Sequence, residues 1–171
     1  MTPRLPPTMR AVRVHTAGGP EGLRVEEIAT PEPRSGEVLV RVHAAAITRD
    51  ELEWPVDRLP ATPSYELSGV LVTAAEGVED AGTGAHVYGL TGFDRDGVAA
   101  EYATVRADVL ARPPRTLGHV ETASIPLAAL SAWQGLFDHG GLKAGERVLI
   151  QARPVASASS RPSSPAGRAP T

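Results

Sequence analysis

Hydrophobic and polar residues alternate with a period of two through much of the first 112 positions. Arg10 to His15 alternates. In Val38-Leu39-Val40-Arg41-Val42-His43 the valines fall on one face, and Leu39, Arg41 and His43 on the other. A period of two marks half-buried strands. Shorter runs predict further strands at 23–28, 67–73, 86–90, 98–105 and 109–112. Turn clusters separate them: Gly18-Gly19-Pro20, Arg34-Ser35-Gly36, Gly82-Thr83-Gly84 and Arg95-Asp96-Gly97. Short strands punctuated this often predict a mainly β fold, a barrel or a sandwich.

The period changes after Gly118. Val120 to Asp138 reads as helix, with Leu127, Leu130, Trp133 or Gln134, and Phe137 at helical spacing. Pro126 suits the first turn of its main segment, and Gly140-Gly141 a stop. The spacing assigns Trp133 and Phe137 to a core-facing stripe. After the turn Lys143-Ala144-Gly145, Glu146 to Ile150 begins a strand. A strand entering a parallel sheet leads into a turn and a helix. Here it leads into QARPVASASSRPSSPAGRAPT, residues 151–171. Val155 is the single large aliphatic of that stretch, which holds four prolines and five serines. Such a composition cannot bury enough surface to offset its ordering, so a disordered tail is expected.

Composition narrows the function. The 171 residues contain no cysteine, which excludes disulfides, cysteine nucleophiles and thiolate metal sites. The net charge of −3 divides as +3 in residues 151–171 and −6 before them, with no basic footprint for nucleic acid. Apolar runs fall short of the ~20 residues of a membrane helix. Met1 to Arg10 lacks the apolar segment of a secretory signal. A cytoplasmic protein is the resulting default expectation. The histidines, 15, 43, 86, 119 and 139, show no metal-ligand spacing, and His43 and His86 are expected at a rim or surface. No G-x-S-x-G elbow or phosphate-binding P-loop is present.

Six segments in order carry a resemblance: MRAVRVHTAGGPE (9–21), GEVLVRVHAAA (36–46), Ser68-Gly69-Val70, His86-Val87-Tyr88-Gly89, Gly97 to Tyr102, and IPLAALSAWQGLFDHGGL (125–142) followed by KAGERVLI. Residues 9–150 resemble the N-terminal portion of zinc-independent medium-chain dehydrogenase/reductases, in the NADP-dependent quinone oxidoreductase, or zeta-crystallin-like, branch. The resemblance implies a GroES-like, partly open β-barrel over 9–119. A connecting helix and the first strand of a truncated Rossmann domain would fill 120–150. The implied activity is hydride transfer from NADPH to a quinone or an enone, without zinc. A homodimer is implied only where the Rossmann domain is present. A chain lacking that domain is expected to be inactive alone. The alternative is a non-catalytic GroES-like module or a degenerate remnant.

In that family a glycine-rich turn follows the strand ending VLI, and cradles the cofactor diphosphate. None follows Ile150. Residues 151–157 can be encoded CAG GCG CGG CCG GTG GCG TCG. Shifted to begin at the last base of the first codon, with GC opening Ala158, the run reads Gly-Ala-Ala-Gly-Gly-Val-Gly. Residues 151–171 are therefore expected to be a frameshifted reading of a Rossmann domain, through mutation or sequencing error. The other reading is a genuine tail whose codons happen to permit this.

The resemblance also selects site candidates. Thr48 stands where zinc-dependent relatives carry a metal-binding cysteine and quinone reductases commonly an asparagine. Its hydroxyl suits a contact to nicotinamide ribose or substrate, or a cap on the helix beginning near Asp50. Tyr65 replaces a would-be histidine ligand and suits stacking or proton supply, or a rim aromatic. Glu66 beside it reads as structural, paired with an arginine. Ser131 stands where relatives often carry a threonine near the nicotinamide, or simply permits close helix packing. No residue is nominated as a metal ligand.

Overall fold

A computed structural model describes residues 5–54, 58–78 and 82–150; residues 151–171, and the tail reading attached to them, lie outside the described residues. The chain divides into a body ending at Gly141 and a second unit from Leu142.

In the body, β1 (Thr8–Val14) and β2 (Leu23–Ala29) form an antiparallel hairpin, with Val12 opposite Val25. A second sheet has the order β6-β3-β4-β5-β7. Its strands are β3 (Glu37–Ala46), β4 (Glu66–Ala74), β5 (His86–Leu90), β6 (Tyr102–Arg106) and β7 (Leu110–Ala111). The pairings within it are antiparallel. The hairpin closes on the loops of the sheet. Val12 N–H donates to Ala99 O at 2.8 Å, and Val14 N–H to Ala61 O at 2.7 Å. The result is the half-open barrel that the resemblance implied.

The core follows the strand pattern. Val38, Val40, Leu67, Leu71, Val87, Val98 and Val105 are buried together. Leu39 is also fully buried, although alternation placed it opposite the valines. The central strand β3, between β6 and β4, is covered on both sides at its start. Alternation resumes at Arg41 and His43, which are exposed. Gly69 lets β3 and β4 approach at a register shift. A Cβ there would lie 2.2 Å from Arg41 O.

The helical stretch is divided. α1 (His119–Ala123) packs on β3, β4 and β5. α2 (Pro126–Trp133) carries Pro126 in its first turn and continues as a π-helical turn, Gln134–His139. Trp133 and Phe137 are not core residues. They are 59% and 42% exposed and pack on each other at 4.6 Å. Helical spacing placed them on one face correctly, but in the described structure solvent covers that face.

In the second unit, Glu146 N–H donates to Lys143 O at 3.2 Å, closing the expected turn. Residues 146–150 form no strand. A parallel strand needs a neighbour, and the described residues offer none. Among the described residues no helix is long and apolar enough to cross a membrane.

Candidate functional site

The site is built where β3 ends and β4 begins. Beyond Ala46 the chain runs through Thr48 into a 3-10 helix, Arg49–Glu53. Thr48 is its N-cap residue, and Thr48 N–H donates to Glu51 Oε2 at 3.3 Å. Glu51 is itself buried, and its Oε1 accepts the N–H of Ser64. One carboxylate thus ties the segment of Thr48 to the segment of Tyr65.

Ser64 has φ of 71°, in the left-handed region that a non-glycine residue rarely enters. Such a conformation persists where its surroundings fix it. Ser64 Oγ donates to Ala46 O at 2.8 Å. Ser64 O accepts from Val98 N–H at 2.7 Å, while Gly97 N–H donates to Thr62 O at 2.8 Å. Gly97 permits this approach, because a Cβ there would lie 2.1 Å from Ser64 O.

Tyr65 follows directly and belongs to an aromatic cluster. Its ring centroid is 4.8 Å from Phe93 and 6.2 Å from Trp54, and Trp54 meets Phe93 edge-on at 5.5 Å. Thr91 N–H donates to Tyr65 O at 2.8 Å, which fixes the loop carrying Phe93. The three rings, with Val14, Glu51 and Thr62, line a cavity of about 300 Å³.

Glu66 opens β4 on the other side of Tyr65. It is buried, and the partner it finds is not an arginine. Its Oε1 accepts Leu127 N–H at 2.8 Å, at the first turn of α2. A helix N-terminus presents free amides and positive charge, so a carboxylate serves it as well as an arginine would serve the carboxylate. Burial pushes the Glu66 carboxyl above its ordinary value, against the lowering effect of that amide. Glu51 is raised too. Burial is the main cause and the nearby Glu66 adds to it, outweighing the amides of Ser64 and Thr48.

The three candidates are therefore differently placed. Tyr65 lines the cavity. Thr48 caps the 3-10 helix and reaches the cavity only through Glu51. Ser131 is exposed on α2 and does not line it. Sequence reasoning missed Trp54, Phe93 and the bridging role of Glu51. One signal was available: only seven Phe, Trp and Tyr residues occur in the chain, so each is conspicuous.

A larger cavity, of about 900 Å³, is lined by residues of the hairpin and the sheet and shares Thr62 with the smaller one. Its walls are polar. Arg95 pairs with Glu37 at 2.7 Å within the lining, while Asp96 and Arg106 pair with Arg13 and Asp108 outside it. The smaller cavity, with an aromatic floor and a buried carboxyl, has the better features of a binding site. Among the described residues no group of three His, Cys, Asp or Glu is placed to hold a metal ion.

A half-open barrel with α1 on its sheet defines a class. Residues 34–123 match the Alcohol dehydrogenase GroES-like domain family, and the chain belongs to it. It is 32% identical over 151 residues to the chloroplastic quinone-oxidoreductase homolog of Spinacia oleracea, covering 79% of this chain and 45% of that protein. The NADPH-dependent alkenal/one oxidoreductase, chloroplastic, of Arabidopsis thaliana is 31% identical, covering 85% and 41%. Among solved structures, the quinone oxidoreductase from Coxiella burnetii superposes with a TM-score of 0.72 at 28% identity, covering 81% of this chain and 47% of that one. The chain thus spans less than half the length of these relatives.

Proposed function

We propose that this chain is the acceptor-side domain of an NADPH-dependent, zinc-independent reductase of quinones or enones, and that it is inactive alone. The observation that carries this reading is the cavity floored by Trp54, Tyr65 and Phe93. Flat aromatic rings suit a flat conjugated acceptor, beside which Glu51, Arg58 and Thr62 supply polar groups. Tyr65 stacks on the acceptor or supplies a proton to it. Thr48, held by Glu51, contacts the substrate or the nicotinamide ribose, and Ser131 the nicotinamide amide. Zinc independence is supported by the donor chemistry. Thr48 and Tyr65 stand where the family's zinc enzymes carry cysteine and histidine, and a threonine hydroxyl is a poor zinc ligand.

When bound, NADPH supplies the hydride. The residues described do not fit its diphosphate. That group needs a glycine-rich turn at an open helix N-terminus. The amide of Leu127 in the first turn of α2 is already taken by Glu66, and residues 142–150 form a turn without a helix. The chain is therefore proposed not to hold NADPH by itself, and residues 151–171 to be the frameshifted start of the missing cradle. We further propose a cytoplasmic setting, with dimerisation only where a Rossmann domain is present.

The test is a titration of the Trp133→Phe chain with 1,4-naphthoquinone, read through Trp54 emission. Saturable quenching that Phe93→Ala abolishes is expected; no saturable change removes the acceptor-site reading. NADPH fluorescence separates the alternative. Micromolar cofactor binding by the 171 residues would sink the claim of incompetence. Absence of both acceptor and cofactor binding favours a non-catalytic module. Sequencing the gene beyond codon 145 decides the frameshift, through whether the shifted frame continues as a Rossmann domain.

A further inference from the structure

Three of the histidines meet at the junction between α1 and the sheet. His119 opens α1. Its ring stacks on His43 of β3 at 4.5 Å and 17°, and on His86 of β5 at 5.0 Å and 21°. His119 Nδ1 and the Oγ of the fully buried Ser68, on β4, share a hydrogen bond of 2.7 Å. The three strands that α1 packs against thus each contribute one contact to a single imidazole. Near-parallel rings do not aim their nitrogens at a common point, so the arrangement is a stack and not a metal site.

Neutral imidazoles stack favourably, whereas imidazolium rings this close repel one another. We propose that the His43–His119–His86 stack is a proton-operated latch. Neutral, it holds α1 on the sheet; protonated, it releases α1 and loosens the base of α2. The latch does not rest on the catalytic reading.

The surrounding charges do not offset the repulsion. On β3, Glu37 is committed to Arg95, and Arg41 has the same sign as the protonated rings. On β4, Glu66 is committed to Leu127 N–H. On β5, His86 is the only residue of this kind besides Tyr88. On α1 itself, Glu121 is exposed. The charges acting on His119 are those of His43 and His86. Burial first, and then these two rings, hold His119 below the usual histidine value of 6.5. A docked His119 thus binds fewer protons than a released one. Docking is fully favoured above pH 6.5 and weakens as pH falls below it, toward the docked value.

Hydrogen exchange on the full chain at pH 7.5 and 5.5, corrected for intrinsic rates, tests the latch. The amides to follow are Thr122, Ser124 and Ile125, which are bonded within α1 and its cap. Their protection should fall at pH 5.5, by up to about tenfold, the limit set by one pH unit below 6.5, while β3–β4 amides hold. The local readout matters because Glu51 and Glu66, whose carboxyls are raised by burial, act on global stability with the opposite sign. In a His43→Gln/His86→Gln chain the loss should shrink and the His119 titration, followed by NMR, should move toward 6.5. Equal protection at the two pH values, or an undiminished loss in the variant, overturns the latch. If the variant does not fold, a His119 midpoint at or above 6.5 in the unmodified chain overturns it as well.

Discussion

Glu51 carries more of the site than either residue it connects. Its two oxygens accept the amides of Thr48 and Ser64, and Ser64 is fully buried in a left-handed conformation. Removing the carboxylate leaves a buried N–H without a partner. Glu51→Ala should therefore cost about 1–3 kcal/mol of stability, measured by urea unfolding. It should also weaken acceptor binding through displacement of Tyr65. Glu66, raised by burial as Glu51 is, is tested by a substitution that keeps the acceptor. Its carboxyl is raised by burial, so between 4.5 and the folded value the native state holds a proton that the unfolded state has lost. Stability from this group is present at low pH and lost as pH rises through that window. Glu66→Gln keeps an acceptor for Leu127 N–H and removes the buried charge. Its stability at pH 7.5 should equal or exceed that of the parent, and its slope between pH 4.5 and 7 should be flatter. A parent-like slope in the variant would remove this account of Glu66.

At the scale of elements, the strip 97–99 pairs with 62–64 and fixes the backbone beneath the cavity. Ala99 N–H donates to Pro63 O at 3.0 Å, alongside the bonds of Gly97 and Val98. Gly97→Ala places a methyl group 2.1 Å from Ser64 O and 2.5 Å from Pro63 O. Backbone has to move, so a loss of about 1–3 kcal/mol or more is expected in thermal unfolding. A Gly97→Ala chain of unchanged stability and acceptor affinity would show that the strip does not set the site. The strands themselves were legible because period two survives wherever one face is wet, as along Arg41, Val42 and His43. β5 falls where its pattern placed it, at 86–90. What the pattern did not contain is the joining of elements remote in sequence. Glu66 meeting Leu127, and His43 meeting His119, depend on register and docking, which no local period encodes. Tyr65 was visible as a departure from a family motif. Trp54 and Phe93 carried only the signal of their rarity, since each lies in a loop with no pattern around it.

For the molecule as a whole, the face of α2 and its π-helical continuation raises a problem of solubility. Leu130, Trp133 and Phe137 are each more than two-fifths exposed and follow helical spacing. Spacing alone shows that residues share a face and not what covers it. An apolar stripe on a chain spanning about 45% of its relatives' length invites self-association. The 171-residue chain should therefore sediment as a concentration-dependent mixture. Trp133→Gln/Phe137→Ser should shift it toward monomer, with unchanged far-ultraviolet circular dichroism and little change in thermal midpoint, because exposed side chains contribute little to folding. Trp133, already in water, should contribute a red-shifted emission band in the monomer that moves blue as the parent chain is concentrated. A parent that sediments as a monomer throughout, with no shift in that band, would show that these side chains tolerate solvent. The bare face would then no longer imply a covering partner.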